Sequence, residues 1–229
     1  MIEVHDLHAG YGQHPVLKGV HLNIPESNIH GLVGLNGSGK TTFLNTLYGI
    51  KDFDKGDIKF SHSGRSSLLI GFLETQNYFY PRITGKEYLR LISNGNPDFS
   101  IDRWNELFEL PLDQLIDEYS TGMKKKLAMF GVICLSRPIL FLDEPFNGVD
   151  LETVYKLKSL FLKLKEQGKT ILITSHILES LVPICDQISY LNNGVIEFTL
   201  DSDHFDGLEQ KIFSLHRQRI DKQLNNLFN

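Results

Sequence analysis

Residues 34–42 constrain the fold of this chain more than any other stretch, and they read Gly-Leu-Asn-Gly-Ser-Gly-Lys-Thr-Thr. They fit the pattern G-x-x-x-x-G-K-[ST], which joins a strand to a helix. The apolar residues between 29 and 33 predict a buried strand before the loop, and residues 42–48 predict a helix that ends near Gly49. The sequence therefore predicts a phosphate-binding loop, with a glycine-rich turn of no chemical role as the alternative.

The residue types in this loop suit a polyphosphate. Its glycines let several backbone N–H groups approach phosphate oxygens, because no Cβ obstructs them. The helix that follows directs its positive dipole end at the anion. Lys40 brings a full positive charge to the β and γ phosphates, and the Thr41 hydroxyl can ligate Mg²⁺. The loop therefore predicts a triphosphate together with Mg²⁺.

Length and composition argue against several other kinds of protein. The chain has 229 residues, enough for one domain with lobes, and its formal net charge of −5 gives no reason to expect nucleic acid as a partner. The basic run at 124–126 is typical of a solvated helix face. Cys134 and Cys185 predict buried thiols, and the histidines lack zinc-binding spacing. We expect neither a secretory signal nor a membrane-spanning segment.

The rest of the chain alternates between strand and helix signals, with one helical interruption. Alternating apolar residues over 2–30 predict antiparallel strands. From Thr84, a residue type that suits an N-cap, to 135 only helical spacing occurs, which predicts a helical lobe inserted into an α/β core. Further strands are predicted at 56–60, 68–73, 139–142 and 170–174 and in a hairpin turning at Asn193-Gly194; further helices are predicted at 151–167, 177–184 and around Ile220, Leu224 and Leu227.

Two acidic residues directly follow the apolar strand at 139–142. Asp143, at the strand end, can hold Mg²⁺ through water, and Glu144 is placed to orient or deprotonate an attacking water. The alternative is an exposed Asp-Glu turn without a role. His176 ends the neighbouring predicted strand and brings an imidazole toward the γ-phosphate, although a lone histidine is more often structural.

Two aromatic features leave alternatives open. Tyr11, between two glycines upstream of the loop, either stacks on a nucleotide base or packs on its own hairpin. Tyr78, Phe79 and Tyr80 follow a predicted strand and form either core packing or an exposed partner surface.

Taken together and in this order, the motifs resemble the nucleotide-binding subunits of ABC transporters, over residues 11–198. The elements that carry the resemblance are Tyr11 at the adenine-stacking aromatic, 34–42 at Walker A, 119–123 at the LSGGQ signature, 139–144 at Walker B with its glutamate, 147–150 at the D-loop and His176 at the switch histidine. The resemblance implies a RecA-like P-loop NTPase core (1–83 and 136–200) with an N-terminal antiparallel β subdomain, an inserted helical subdomain (84–135) and a C-terminal helical extension (201–229).

The chain departs from the family pattern at two motifs. The signature reads Tyr-Ser-Thr-Gly-Met and keeps only Ser120 and Gly122, yet a serine hydroxyl and backbone N–H groups at a helix N-terminus still form an anion site. At the Q-loop, Thr75 occupies the expected glutamine position and Gln76 follows one residue later. We assign Gln76 to the metal site, with Thr75 as the alternative.

The resemblance implies an ATPase that energises a separate transmembrane permease at the cytoplasmic face of the inner membrane, most similar to multidrug export systems. Two identical cassettes would meet head to tail with ATP between them, and Phe79 and its neighbours would dock on the permease. A non-transport ABC ATPase is the alternative function, whereas a P-loop kinase or GTPase lacks support. The implied residues are Lys40, Glu144 and His176 for catalysis; Tyr11, Gly34, Asn36, Gly37, Ser38, Gly39, Lys40, Thr41, Thr42, Ser120 and Gly122 for ATP; and Thr41, Asp143 and Gln76 for Mg²⁺.

Overall fold

The computed structural model describes residues 1–61, 66–93, 96, 98–215 and 217, with only the backbone described at 66 and 67. Two β-sheets organise these residues. Their strands are β1 (Ile2–Tyr11), β2 (His14–Ile24), β3 (Ile29–Val33), β4 (Lys55–Phe60), β5 (Ile70–Leu73), β6 (Ile139–Asp143), β7 (Thr170–Ser175), β8 (Gln187–Asn192) and β9 (Val195–Asp201). One sheet is antiparallel with the order β2-β1-β4, and the other has the order β5-β6-β7-β3-β8-β9.

The larger sheet is parallel from β5 to β8, and antiparallel β9 closes one edge. Its register brings three strand ends together: Val33 pairs with Ser175, and Asp143 pairs with Thr174. Since the carboxyl ends of parallel strands share one edge, the segments that follow β3, β6 and β7 meet there. This α/β architecture with a separate antiparallel sheet confirms the predicted fold class.

Helices surround the sheets in the described part of the chain. They are α1 (Lys40–Tyr48), α2 (Ser66–Leu69), α3 (Gly85–Ser93), α4 (Ile101–Phe108), α5 (Thr121–Cys134) and α6 (Leu151–Glu166); residues 208–215 are also helical. The predicted N-cap before α3 is confirmed, because Thr84 Oγ1 accepts from the Glu87 N–H at 3.2 Å while Glu87 Oε2 accepts from the Thr84 N–H at 2.7 Å. Within the described ranges, none of the helices has both the length and the apolar character of a membrane span.

One apolar cluster joins the helical lobe (α3 to α5) to the larger sheet. Phe108 of α4 and Phe130 of α5 stack with ring centroids 4.5 Å apart, and both belong to the cluster that contains Leu140 of β6. Such burial holds α5 firmly against the sheet. Cys134 and Cys185 are buried free thiols, as predicted, and burial raises the pKa of Cys134 to about 12.

Two predicted elements differ from the structure. The apolar run 68–73 is split between α2 and β5, because a short apolar run does not distinguish strand from helix. Residues 177–184 contain only a 3₁₀ turn, Leu178–Ser180, where Ser175 Oγ accepts from the Ile177 N–H and Pro183 limits continuation of a helix. The predicted helix around Ile220, Leu224 and Leu227 lies outside the described residues.

A fully buried histidine lies on β3, the strand that leads into the glycine-rich loop. His30 Nε2 is 2.8 Å from Ser189 Oγ on β8, and burial lowers the pKa of His30 from 6.5 to about 4, despite opposing contributions from Gln187 and Asp201. Removing the imidazole from water disfavours its charged form. The folded chain therefore keeps His30 neutral at a pH where the unfolded chain protonates it.

We expect His30 to make the fold sensitive to acid. A pKa that is lower in the folded state contributes stability fully above about pH 6.5, and this contribution disappears as the pH falls to about 4. Between about pH 7.5 and about pH 5, His30→Gln is expected to reduce the loss in free energy of unfolding by about 2 kcal/mol, measured by urea denaturation. His14→Gln, at an exposed position, provides the control; an identical pH dependence of wild type and His30→Gln would contradict the prediction.

Candidate active site

The glycine-rich loop adopts a conformation that suits an anion. It runs from β3 to α1 and ends at Gly39, whose φ of 111° lies in the left-handed region that glycine tolerates. A Cβ at Gly34 would lie 2.4 Å from the carbonyl oxygen of Leu191, so only glycine fits there. The N-cap residue of α1 is Gly39, which has no side chain to cap the helix, so the N–H groups of the first turn suit a bound phosphate.

Lys40 is buried over this loop and oriented by two partners. Its Nζ donates to the Gly34 carbonyl at 2.7 Å and lies 3.6 Å from Glu144 Oε1. The ammonium group is thus held between the loop and a carboxylate. A phosphate offers it a charged acceptor in place of the neutral carbonyl, and charge-assisted hydrogen bonds are the stronger ones.

The turn between β8 and β9 contacts the glycine-rich loop through a backbone hydrogen bond. The Gly194 N–H donates to the Ser38 carbonyl at 3.1 Å, and the Gly194 carbonyl accepts from the Lys18 N–H at 2.8 Å. The hairpin turn at this position was predicted from sequence, but its contact with the loop was not. Because the contact joins residues far apart in the chain, no local pattern indicates it.

Asp143 lies fully buried at the end of β6 among three threonine hydroxyls. Its Oδ2 accepts from Thr41 Oγ1 at 2.7 Å and from Thr75 Oγ1 at 2.5 Å, and its Oδ1 accepts from Thr174 Oγ1 at 2.5 Å. A buried carboxylate needs such donors to offset its lost hydration. The carboxylate and hydroxyl oxygens are hard ligands of the kind that Mg²⁺ prefers, so this group fits the metal.

The two Q-loop candidates occupy different positions relative to Asp143. Thr75 provides the hydrogen bond to the carboxylate, whereas exposed Gln76 lines the adjoining cleft together with Thr41 and Asp143. The sequence singled out Gln76 by its amide and gave Thr75 as the alternative. Thr174 was missed, since a threonine inside an apolar strand gives no signal of its own.

Glu144 contacts His176 as well as Lys40. His176 Nδ1 is 3.0 Å from both carboxylate oxygens of Glu144, and Asn147 Nδ2 donates to Oε2 at 3.3 Å. The Glu144 side chain is largely buried, whereas His176 reaches toward solvent. The register of β6 and β7 produces this pair, because each residue follows the end of its strand.

Most of the site residues predicted from sequence line a cleft of about 340 Å³. It is lined by Asn36, Gly37, Gly39, Lys40, Thr41, Thr42, Thr75, Glu144, Asn147 and His176. Gly34 and Ser38 lie buried beneath the loop. Tyr11 ends β1 with 54% of its surface exposed, and Lys51 Nζ lies 5.1 Å from its ring centroid. An exposed ring of this kind is open to stacking, and it is not packed into its hairpin.

The signature-like turn lies apart from that cleft. Ser120 caps α5, and its Oγ accepts from the Met123 N–H at 3.2 Å. Ser120 and Thr121 are exposed, and neither Ser120 nor Gly122 is among the residues that line the cleft. The turn therefore presents a hydroxyl and a helix N-terminus at the surface of the protein.

Comparisons with known proteins identify the family of this chain. The family model described as "ABC transporter" matches residues 17–147. YtrB of Bacillus subtilis (strain 168), an ABC transporter ATP-binding protein, is 33% identical over 213 residues, which cover 89% of this chain and 73% of YtrB. SrtF of Streptococcus pyogenes, a lantibiotic transport ATP-binding protein, is 28% identical over 217 residues, which cover 92% of this chain and 95% of SrtF.

A solved structure shares the fold. The dimeric ATP-binding cassette MJ0796, in a post-hydrolysis state bound to ADP and Pi, superposes with a TM-score of 0.76. The two sequences are 24% identical, and the match covers 88% of this chain and 99% of the other. The family model spans more than half of the chain, and the similarity to YtrB extends over most of it. The resemblance drawn from the motifs is therefore confirmed: this chain belongs to the ABC transporter family and is an ATP-binding, ATP-hydrolysing subunit.

Proposed function

We propose that this chain powers a separate transmembrane permease, in the export direction, through ATP-driven pairing of two copies at the cytoplasmic face of the membrane. One observation carries the proposal. The cleft holds Lys40, Glu144 and His176, while the Ser120 turn of the same chain is exposed and takes no part in lining it. A triphosphate in this cleft is thus contacted from one side only.

The exposed turn supplies what the cleft lacks. A second copy placed head to tail brings the Ser120 hydroxyl and the α5 N-terminus to the open side of the bound γ-phosphate. The dimeric state of MJ0796 supports this arrangement. Because ATP then interacts with two subunits in the closed pair and with one in the open state, its binding favours closure and its hydrolysis releases the pair.

The chain's own residues suit hydrolysis of the γ-phosphate. Lys40 and the N-terminus of α1 neutralise phosphate charge, and Tyr11 stacks on the base. Glu144 orients the attacking water and accepts its proton, while His176 fixes the direction of that carboxylate. Asp143 and Thr41 would hold Mg²⁺, which when bound neutralises negative charge on the β and γ phosphates.

An exposed aromatic pair supports docking on a permease. Tyr78 and Tyr80 are 79% and 63% exposed with ring centroids 6.0 Å apart, whereas Phe79 packs against Tyr88 at 5.0 Å. Large exposed aromatics are typical of interaction surfaces. The role of SrtF in lantibiotic transport supports a permease partner, and the resemblance of residues 80–85 to export systems supports the export direction.

We expect Glu144→Gln to trap the ATP-bound pair. The amide keeps the size of the side chain but cannot accept the proton of water, so binding and closure proceed while hydrolysis stops. Size-exclusion chromatography with ATP and Mg²⁺ measures the pair, and phosphate release measures turnover. Glu152→Gln, at an exposed position on α6, is the matched control and is expected to behave as wild type. A Glu144→Gln variant that stays monomeric and hydrolyses ATP at the normal rate would refute the proposal.

We expect Thr75, rather than Gln76, to influence the metal. Thr75→Ala removes a hydrogen bond that fixes Asp143, so the Mg²⁺ concentration for half-maximal ATPase activity is expected to rise about tenfold. Gln76→Ala is expected to change it less than about twofold, and Thr75→Ser to restore it. Mg²⁺-dependent binding of a fluorescent ATP analogue gives a second measurement without turnover. A larger effect of Gln76→Ala would assign the metal role to Gln76.

Charge at the exposed aromatics is expected to separate transport from ATP hydrolysis. Tyr78→Glu and Tyr80→Glu are expected to keep the fold because both rings lie at the surface. They are expected to weaken association with a permease, because a carboxylate replaces the aromatic ring that would contact it. Co-purification of a polytopic membrane protein measures association, and phosphate release by the isolated chain is expected to remain unchanged. Phe79→Glu, in contrast, is expected to lower the melting temperature because Phe79 packs on Tyr88. Undiminished co-purification would argue against this surface.

A further inference from the structure

Lys125 joins the helix of the signature-like turn to Glu144. It lies in the second turn of α5, half-buried, and its Nζ donates a hydrogen bond to the Glu144 carbonyl. The sequence predicted a solvated face for the basic run 124–126, and that prediction is wrong for Lys125. Its side chain turns toward the end of β6 because α5 packs there on the larger sheet.

The backbone of Glu144 needs support from outside its own segment. Its φ of 50° lies in the left-handed region, which costs a non-glycine residue about 1 kcal/mol. The Glu144 N–H donates to Thr174 Oγ1 at 3.0 Å, and its carbonyl accepts from Lys125 Nζ and, at 3.3 Å, from the Asn147 N–H. Two elements, β7 and α5, thus hold the backbone N–H and the backbone carbonyl of one strained residue.

This contact requires the partial burial of a charged ammonium group. Desolvation lowers the pKa of Lys125, and the nearby negative charges of Glu144 and Asp143 oppose that shift. A buried lysine is unfavourable unless its partners offset the lost hydration. Here those partners are the backbone and the charges at the end of β6, the part of the protein where the γ-phosphate is proposed to react.

We propose that Lys125 is a positioning residue for ATP hydrolysis: it fixes the Glu144 backbone so that the carboxylate faces the attacking water. The inference rests on the proposed role of Glu144. It also connects the two halves of the site, because the exposed Ser120 caps α5 and Lys125 lies in the second turn of the same helix. A shift of α5, when its N-terminus meets a neighbouring ATP, moves the group that holds Glu144 in the same subunit.

Three lysine variants test this role through the steady-state kinetics of the full chain. Lys125→Met keeps the length and loses the donor, so kcat is expected to fall about tenfold, since a hydrogen bond from a charged donor is lost. The KM for ATP and the affinity for a fluorescent ATP analogue are expected to change less than about twofold, because the loop that binds phosphate is untouched. Lys125→Arg retains a charged donor and is expected to recover at least about half of the lost activity. Lys124→Met is the matched control on the same helix, with wild-type kinetics expected.

The outcomes separate this inference from the function on which it rests. If Glu144→Gln hydrolyses ATP normally, the role of Glu144 fails. If Glu144→Gln is inactive while Lys125→Met keeps the wild-type kcat, only the inference about Lys125 fails. Equal losses in Lys125→Met and Lys125→Arg, or a drop in ATP affinity that accounts for the whole effect, also overturn it. Melting temperatures of all variants verify folding. If Lys125→Met does not fold, Lys125→Gln, which is shorter and uncharged, replaces it, with the same loss of kcat expected and a wild-type kcat overturning the inference.

Discussion

The arrangement of the site depends on the buried carboxylate of Asp143, at the edge of the larger sheet. Asp143 receives hydrogen bonds from α1 through Thr41, from the segment after β5 through Thr75 and from β7 through Thr174. Each of these elements must be correctly placed before the charge is satisfied, and an unsatisfied buried charge costs several kcal/mol. The carboxylate therefore fixes the mutual position of three elements, and it brings its own oxygens and three hydroxyl groups together at the point where the proposed metal would bind.

The two loops that follow β3 and β6 both contain a residue with left-handed backbone geometry. Gly39 adopts its left-handed φ without steric cost, whereas Glu144 adopts one at a cost of about 1 kcal/mol. A glycine at 144 would remove that strain but would also remove the carboxylate. The chain retains the side chain and holds the backbone from outside, through Thr174 and Lys125. Strain at this residue is thus a consequence of needing a charged group on a sharp turn after a buried strand.

Local sequence patterns predicted what depends on local chemistry. The loop at 34–42, the N-cap at Thr84, the hairpin turn at Asn193-Gly194 and most strands follow from spacing and residue type, and all have the predicted form. The contacts of Thr75 with Asp143 and of Gly194 with the loop were not predictable, since they join residues far apart in the chain and use ordinary hydroxyl and backbone groups. The contact of Lys125 with Glu144 was missed because a basic run is usually solvated.

The ion pair between Lys40 and Glu144 joins the residue proposed to bind phosphate to the residue proposed to act as the base. Lys40 Nζ lies 3.6 Å from Glu144 Oε1, and in this arrangement the carboxylate is shared between Lys40 and His176. A triphosphate carries more negative charge than a carboxylate, so it competes for Lys40 when it enters the cleft. In the proposed mechanism, Glu144 then keeps His176 and Asn147 as partners, and its Oε1 exchanges Lys40 for the attacking water. On this proposal, the group that binds phosphate also determines when the carboxylate can act as a base.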